Sequence, residues 1–140
     1  MPAQFTVTGV ITGTALVANH IARCWKRRHD DPYCAFARDN FNYLVAENSM
    51  KWRAWEFDRG SYNTTNTGLM FDWAENKGWG IRAHNLFWNV DDEVNFPDWV
   101  YPLEGKSMVE AIKHRIDTAM PHVQVRSSCL VPISVFTCYS

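Results

Sequence analysis

Two short stretches of the 140-residue chain carry side chains suited to gripping a hydroxyl-rich ligand. Glu47, Asn48 and Lys51 follow the apolar run 41–46, and His84 and Trp88 follow the run 79–83. A carboxylate and an amide exchange hydrogen bonds with hydroxyls, and an ammonium adds a charged donor. An indole can cover the apolar face of a sugar ring, and an imidazole beside it completes a polyol-binding set. Taken singly, each residue also has an ordinary reading: Glu47 and Lys51 as a surface ion pair, and His84 as a hydrogen-bonded core histidine.

For the two sets to act together, the elements before them must end at one place. The runs FNYLVA and WGIRA read as short strands that pass directly into polar residues. Residues 5–18, rich in Val, Ile and Thr with bends at Gly9 and Gly13, read as one or two further strands. Leu69, Met70, Trp73 and Lys77 recur at helical spacing, with Gly78 at the C′ position. Ser107-Met108-Val109-Glu110 is a capping box. It opens a predicted helix with Val109, Ile112, Ile116 and Ala119 on one face, closed by Pro121. The order strand, helix, strand, helix, strand, helix argues for βαβ units and a parallel sheet. In such sheets ligands sit at the carboxyl ends of the strands, where both sets fall.

Composition narrows the function classes. Lys+Arg is 14 and Asp+Glu is 15, a formal net charge of −1, which disfavours a protein built for the nucleic-acid backbone. No run reaches the length of a membrane span. The stretch 5–18 is interrupted by Thr6, Thr8, Thr12 and Thr14 and lacks a basic leader, so no signal peptide is visible. Lys26-Arg27-Arg28-His29 is followed by Asp30-Asp31, which reads as a self-neutralised solvated face. The five histidines are scattered, none pairs as H-x-x-x-H, and no cysteines form C-x-x-C, so no metal site is expected. Cys24, Cys34, Cys129 and Cys138 allow Cys24–Cys34 or Cys129–Cys138 disulfides, or buried free thiols. Asn63-Thr64-Thr65 is a glycosylation sequon, usable only outside the cell. Aromatics make up 14% with seven Trp, which suits either a large aromatic core or a cleft for flat ligands.

The ordered segments FNYLVAENSMKWRAWEFDRGSYN, GIRAHNLFWN and PDWV closely resemble glycoside hydrolase family 10, the endo-1,4-β-xylanases. The family's E-N-x-M-K-W signature corresponds to Glu47–Trp52 and its R-[GA]-H-x-L-x-W signature to Arg82–Trp88. Its R-G-x-[FY]-x segment corresponds to Arg59-Gly60-Ser61-Tyr62-Asn63. The resemblance implies an α/β architecture: a (β/α)8, or TIM, barrel that cleaves β-1,4-linked xylan with retention and without a cofactor. It also implies secretion. Glu47, Asn48 and Lys51 would hold xylose units on the non-reducing side of the cut, and His84 and Trp88 would border the sugar whose bond breaks. Asn89 stands where many members have His.

One departure concerns catalysis. Retention needs two carboxyl groups about 5–5.5 Å apart, which the family supplies as Glu on its fourth and seventh strands, the first within W-D-x-x-N-E. This chain has no such motif, and Asp91, Asp92 and Glu93 offer no facing pair with Glu47. Residues 1–122 therefore read as the N-terminal part of the barrel, about three βα units, open and incomplete. Residues 123–140 read as an unmatched apolar tail, either a buried strand or an unprotected end. The expected partner is β-1,4-xylan or a xylo-oligosaccharide, with self-association through exposed barrel edges. The chain alone is expected to be inactive. A non-catalytic carbohydrate-binding remnant and a small α/β interaction protein are the competing readings.

Overall fold

The computed structural model describes residues 10–26, 31–88, 95–123, 126 and the backbone of 129–134. Four strands make one parallel sheet in the order β1-β2-β3-β4: β1 Gly13–Leu16, β2 Tyr43–Ala46, β3 Gly80–Trp88 and β4 Cys129–Ser134. Two helices, α1 Ala18–Lys26 and α2 Pro32–Asn40, connect β1 to β2. The short α3 Trp52–Trp55 and then α4 Thr65–Asn76 connect β2 to β3. A 3-10 turn Asp98–Val100 and α5 Gly105–Val123 follow β3. This is an open part of a (β/α)8 barrel: three strand-and-helix crossovers and a fourth strand.

The register explains why one face is a core and the other a site. Ala15 pairs with Val45, and Val45 with Arg82, so these three share the inner face. The alternate residues Leu16, Leu44, Ala46, Ile81 and Ala83 point the other way and are buried. There they pack with Ile21 of α1 and with Met70, Phe71 and Ala74 of α4. A second cluster joins Trp52 of α3, Val100 of the 3-10 turn and Ala111 of α5, with Phe87, Phe96 and Trp99 against it. The aromatic surplus goes largely inward: Trp52, Trp55, Trp73 and Trp79 are buried.

Local chemistry sets the ends of the elements. Asp31 caps α2, accepting the Tyr33 N–H at 3.0 Å, and Pro32 occupies the first turn, where its missing N–H costs nothing. Gly78, at φ +69°, follows α4 as the spacing predicts. Gly80 opens β3 beneath the Tyr43 ring, and a Cβ there would run into that ring.

Four expectations need revision. The strand predicted over 79–83 extends to Trp88, because β4 pairs with it as far as Trp88↔Ser134, with a register shift between His84 and Phe87. The helix predicted to open at the Ser107 capping box begins at Gly105, and the Ser107 hydroxyl instead donates to the Glu104 carbonyl at 2.7 Å. Pro121 does not close it: the helix runs on to Val123, since a proline in the last turn forfeits a single intrahelical bond and Val123 becomes fully buried. Its buried face is also rotated, with Ala111, Arg115, Ala119 and Val123 inside while Val109 and Ile116 are exposed. Cys24 and Cys34 form a disulfide between α1 and α2. The Cys129 side chain, Cys138, Asn89 and the Asp91-Asp92-Glu93 run lie outside the described residues.

Candidate saccharide-binding site

All five singled-out residues meet in one place. Glu47, Asn48, Lys51, His84 and Trp88 line a hollow of about 530 Å³ at the carboxyl ends of β2 and β3, with Ala15, Val45 and Ala46 as its floor. The parallel register makes this convergence: Tyr43 lies beside Gly80 and Val45 beside Arg82, so the tips of β2 and β3 emerge side by side. Glu47 and Asn48 are exposed on the rim, and the Glu47 N–H is tied to the Leu16 carbonyl at 3.2 Å.

Lys51 lies deeper, with only 3% of its surface exposed. Its ammonium sits 4.3 Å from the centroid of the Trp88 ring, a cation–π contact that serves a partly desolvated charge. His84 meets the same indole edge-on at 5.5 Å between centroids. Burial holds the His84 pKa below the ordinary histidine value, and the positive charges of Arg82 and Lys51 push it the same way. The imidazole is therefore neutral at neutral pH, able to donate one hydrogen bond and accept another. The His84–Asn85 peptide bond is cis.

The loop that presents Glu47 to Lys51 is anchored from beneath. The Thr67 hydroxyl donates to the Ser49 carbonyl at 2.6 Å and the Trp55 indole N–H donates to it at 2.8 Å. Arg115 donates to the Met50 carbonyl at 2.7 Å. Glu56 accepts the Trp52 indole N–H at 2.9 Å and the Gly60 N–H at 2.7 Å. Sequence reasoning did not single out Glu56, Thr67 or Arg115. The one available signal was the placement of Glu56 just before the Arg59-Gly60 segment.

Glu47 is the one carboxylate among the residues lining the hollow. The site can hold hydroxyls and cover a ring, and among the described residues it shows no facing carboxyl pair of the kind that retaining glycosidic cleavage requires. Among the described residues no group of three or more His, Cys, Asp or Glu is placed to hold a metal ion, and no helix is long and apolar enough to cross a membrane.

The model of glycosyl hydrolase family 10 matches residues 4–130. The chain belongs to glycosyl hydrolase family 10. The family match runs beyond His122 into β4. Endo-1,4-beta-xylanase 3 of Arabidopsis thaliana is 30% identical over 87 residues, which are 62% of this chain and 11% of that protein. Anti-sigma-I factor RsgI6 of Acetivibrio thermocellus is 28% identical over 94 residues, 67% of this chain and 12% of that protein. The crystal structure of xylanase 10B from Thermotoga petrophila, in complex with xylobiose, superposes with a TM-score of 0.70 at 26% identity. That likeness covers 84% of this chain and 34% of the xylanase. The chain thus spans about a third of that family 10 barrel, in keeping with its open sheet.

Proposed function

We propose that this chain is the xylan-gripping part of an endo-1,4-β-xylanase of the retaining type. One observation carries the proposal: Glu47, Asn48, Lys51, His84 and Trp88 converge in a single open hollow at the strand tips. Glu47, Asn48 and Lys51 bind hydroxyls of xylose units on the non-reducing side of the cleaved bond. His84 and Trp88 border the sugar at the cut, the indole covering its apolar face. The membership in family 10 and the xylobiose complex of the Thermotoga petrophila enzyme support xylan or a xylo-oligosaccharide as ligand. The fourth strand, where the resemblance places the acid/base glutamate, reads CLVPIS in β4 and carries no glutamate, and the nucleophile belongs to a seventh strand. The Cys24–Cys34 disulfide supports an extracellular setting, since disulfides persist in oxidising compartments.

Titration calorimetry with xylo-oligosaccharides tests the binding. The chain is expected to bind, and Trp88→Ala to lose most of the heat. Release of reducing sugar from xylan is expected only when the residues after His122 are replaced by the family's fourth to eighth strands with both glutamates. Activity of the 140-residue chain by itself would overturn the assignment of roles. A second reading, a non-catalytic saccharide-binding part, is favoured by the single carboxylate among the described residues of the hollow and by the likeness to a protein named as an anti-sigma factor. An extended chain that binds but releases no sugar would decide for it.

A further inference from the structure

Arg115 is fully buried, at 0% exposure, in a helix 65 residues beyond the loop it touches. Burying a guanidinium is costly unless charge and hydrogen bonds compensate it, and buried charged groups replaced together by apolar side chains of similar volume often leave stability unchanged or higher. What its contacts hold in place is therefore of interest beyond stability. The guanidinium donates to the carbonyl of Met50, the residue just before Lys51. It also lies 4.7 Å from the Trp55 ring centroid. The carboxylate of Glu56, itself 0% exposed, stands close enough to act on it electrostatically, together with Tyr62. Glu56 in turn holds the indole of Trp52, the residue just after Lys51. Two buried side chains of opposite charge thus hold the chain on either side of the lysine, Arg115 through the Met50 carbonyl and Glu56 through the Trp52 indole.

We propose that Arg115 and Glu56 are positioning residues for saccharide binding, which clamp Met50 and Trp52 so that the Lys51 ammonium is held over Trp88 inside the hollow. The clamp rests on the saccharide reading for its purpose, but its geometry is separately testable. A guanidinium fixes the direction of the Met50 carbonyl, which an apolar residue in the same space would not do. Trp52 donates to a carboxylate that also accepts the Gly60 N–H, which ties the short α3 to the loop after it.

The test uses Arg115→Met, Arg115→Lys and Glu56→Gln in the full chain, with two readings for each. One is xylotriose affinity by calorimetry. The other is the NMR titration of His84, a local reporter, because the charge of Lys51 contributes to its lowered pKa alongside burial and Arg82. Arg115→Met is expected to weaken xylotriose about tenfold, the order of one charge-assisted hydrogen bond lost. Its His84 midpoint should move up toward the ordinary value as Lys51 leaves Trp88. Arg115→Lys should recover part of both, since an ammonium can still reach a carbonyl. A variant that melts earlier yet keeps wild-type affinity and an unmoved His84 midpoint would overturn the clamp. If Arg115→Met does not fold, Arg115→Lys and Glu56→Gln decide by the same two readings. If wild-type chain gives no heat with xylotriose, the saccharide reading falls. The clamp then stands or falls on the His84 midpoint alone.

Discussion

At the scale of single residues, the site works by placing charges where water is scarce. Lys51 is nearly buried, Trp88 supplies a polarisable face, and His84 is kept neutral by burial first and by Arg82 and Lys51 after it. That depression has a thermodynamic sign. The unfolded chain takes up a proton on His84 more readily than the folded one, so this group favours folding above the ordinary histidine range. Its contribution is lost as pH falls through that range. His84→Asn, which cannot titrate there, should therefore lose less stability than wild type between neutral and mildly acidic pH in denaturant titrations. Equal losses in the two proteins would refute it. Residues on the rim of this site were legible in the sequence because their types are chemically loud and their spacing follows strand ends. Arg115 and Glu56 were not. A charged residue in a helix reads as surface, and nothing in the sequence tells that a guanidinium from α5 reaches the Met50 carbonyl. Tyr62 shows the same effect: burial pushes its pKa up to about 12, although in the sequence it is simply the aromatic of a loop motif.

At the scale of elements, strand pairing determines what the site residues face. β2 and β3 pair with Tyr43 beside Gly80, and the Tyr43 ring lies where a Cβ on that glycine would stand. Gly80→Ala should force that ring away and destabilise the sheet by about 1–3 kcal/mol, the usual cost of overpacking. Chemical denaturation measures it. Tyr43→Ala in the same chain should abolish most of the penalty, and a penalty that persists would place the strain elsewhere. The Cys24–Cys34 disulfide closes a short loop, with its cysteines separated by 10 positions, and ties α1 to α2. Replacing both cysteines with serine should lower stability by about 2–3 kcal/mol on the chain-entropy argument. An unchanged unfolding midpoint would count against any role for the bridge. Strands and α4 were readable from periodicity. The buried face of α5 was misjudged because Val109 and Ile116 are apolar yet exposed, while Arg115 is polar yet buried. Hydrophobic patterning assumes the opposite. The length of β3 escaped because strand length depends on the partner strand, and β4 lies 41 positions beyond the end of β3, from Trp88 to Cys129.

At the scale of the whole molecule, helices cover a single face of the sheet. Leu44, Ala46, Ile81 and Ala83 are sealed beneath α1 and α4, whereas Ala15 and Arg82 on the inner face are exposed. Val10 and Ile11, leading into β1, are 83% and 62% exposed. Parallel sheets are stable when both faces are covered and their edges are paired, and among the described residues β1 and β4 are edge strands. The same openness that makes the saccharide hollow accessible therefore leaves apolar surface and backbone hydrogen-bonding groups facing water. The 140-residue chain should associate as its concentration rises and should unfold over a broad range when kept dilute. Sedimentation velocity across a concentration series, together with calorimetric unfolding of the most dilute sample, measures both. Saturating xylo-oligosaccharide should sharpen the transition and raise its midpoint, because ligand binds only where β2 and β3 are assembled. A strictly monomeric protein with a sharp cooperative transition in the absence of ligand would show that the helical layer alone suffices to hold the sheet.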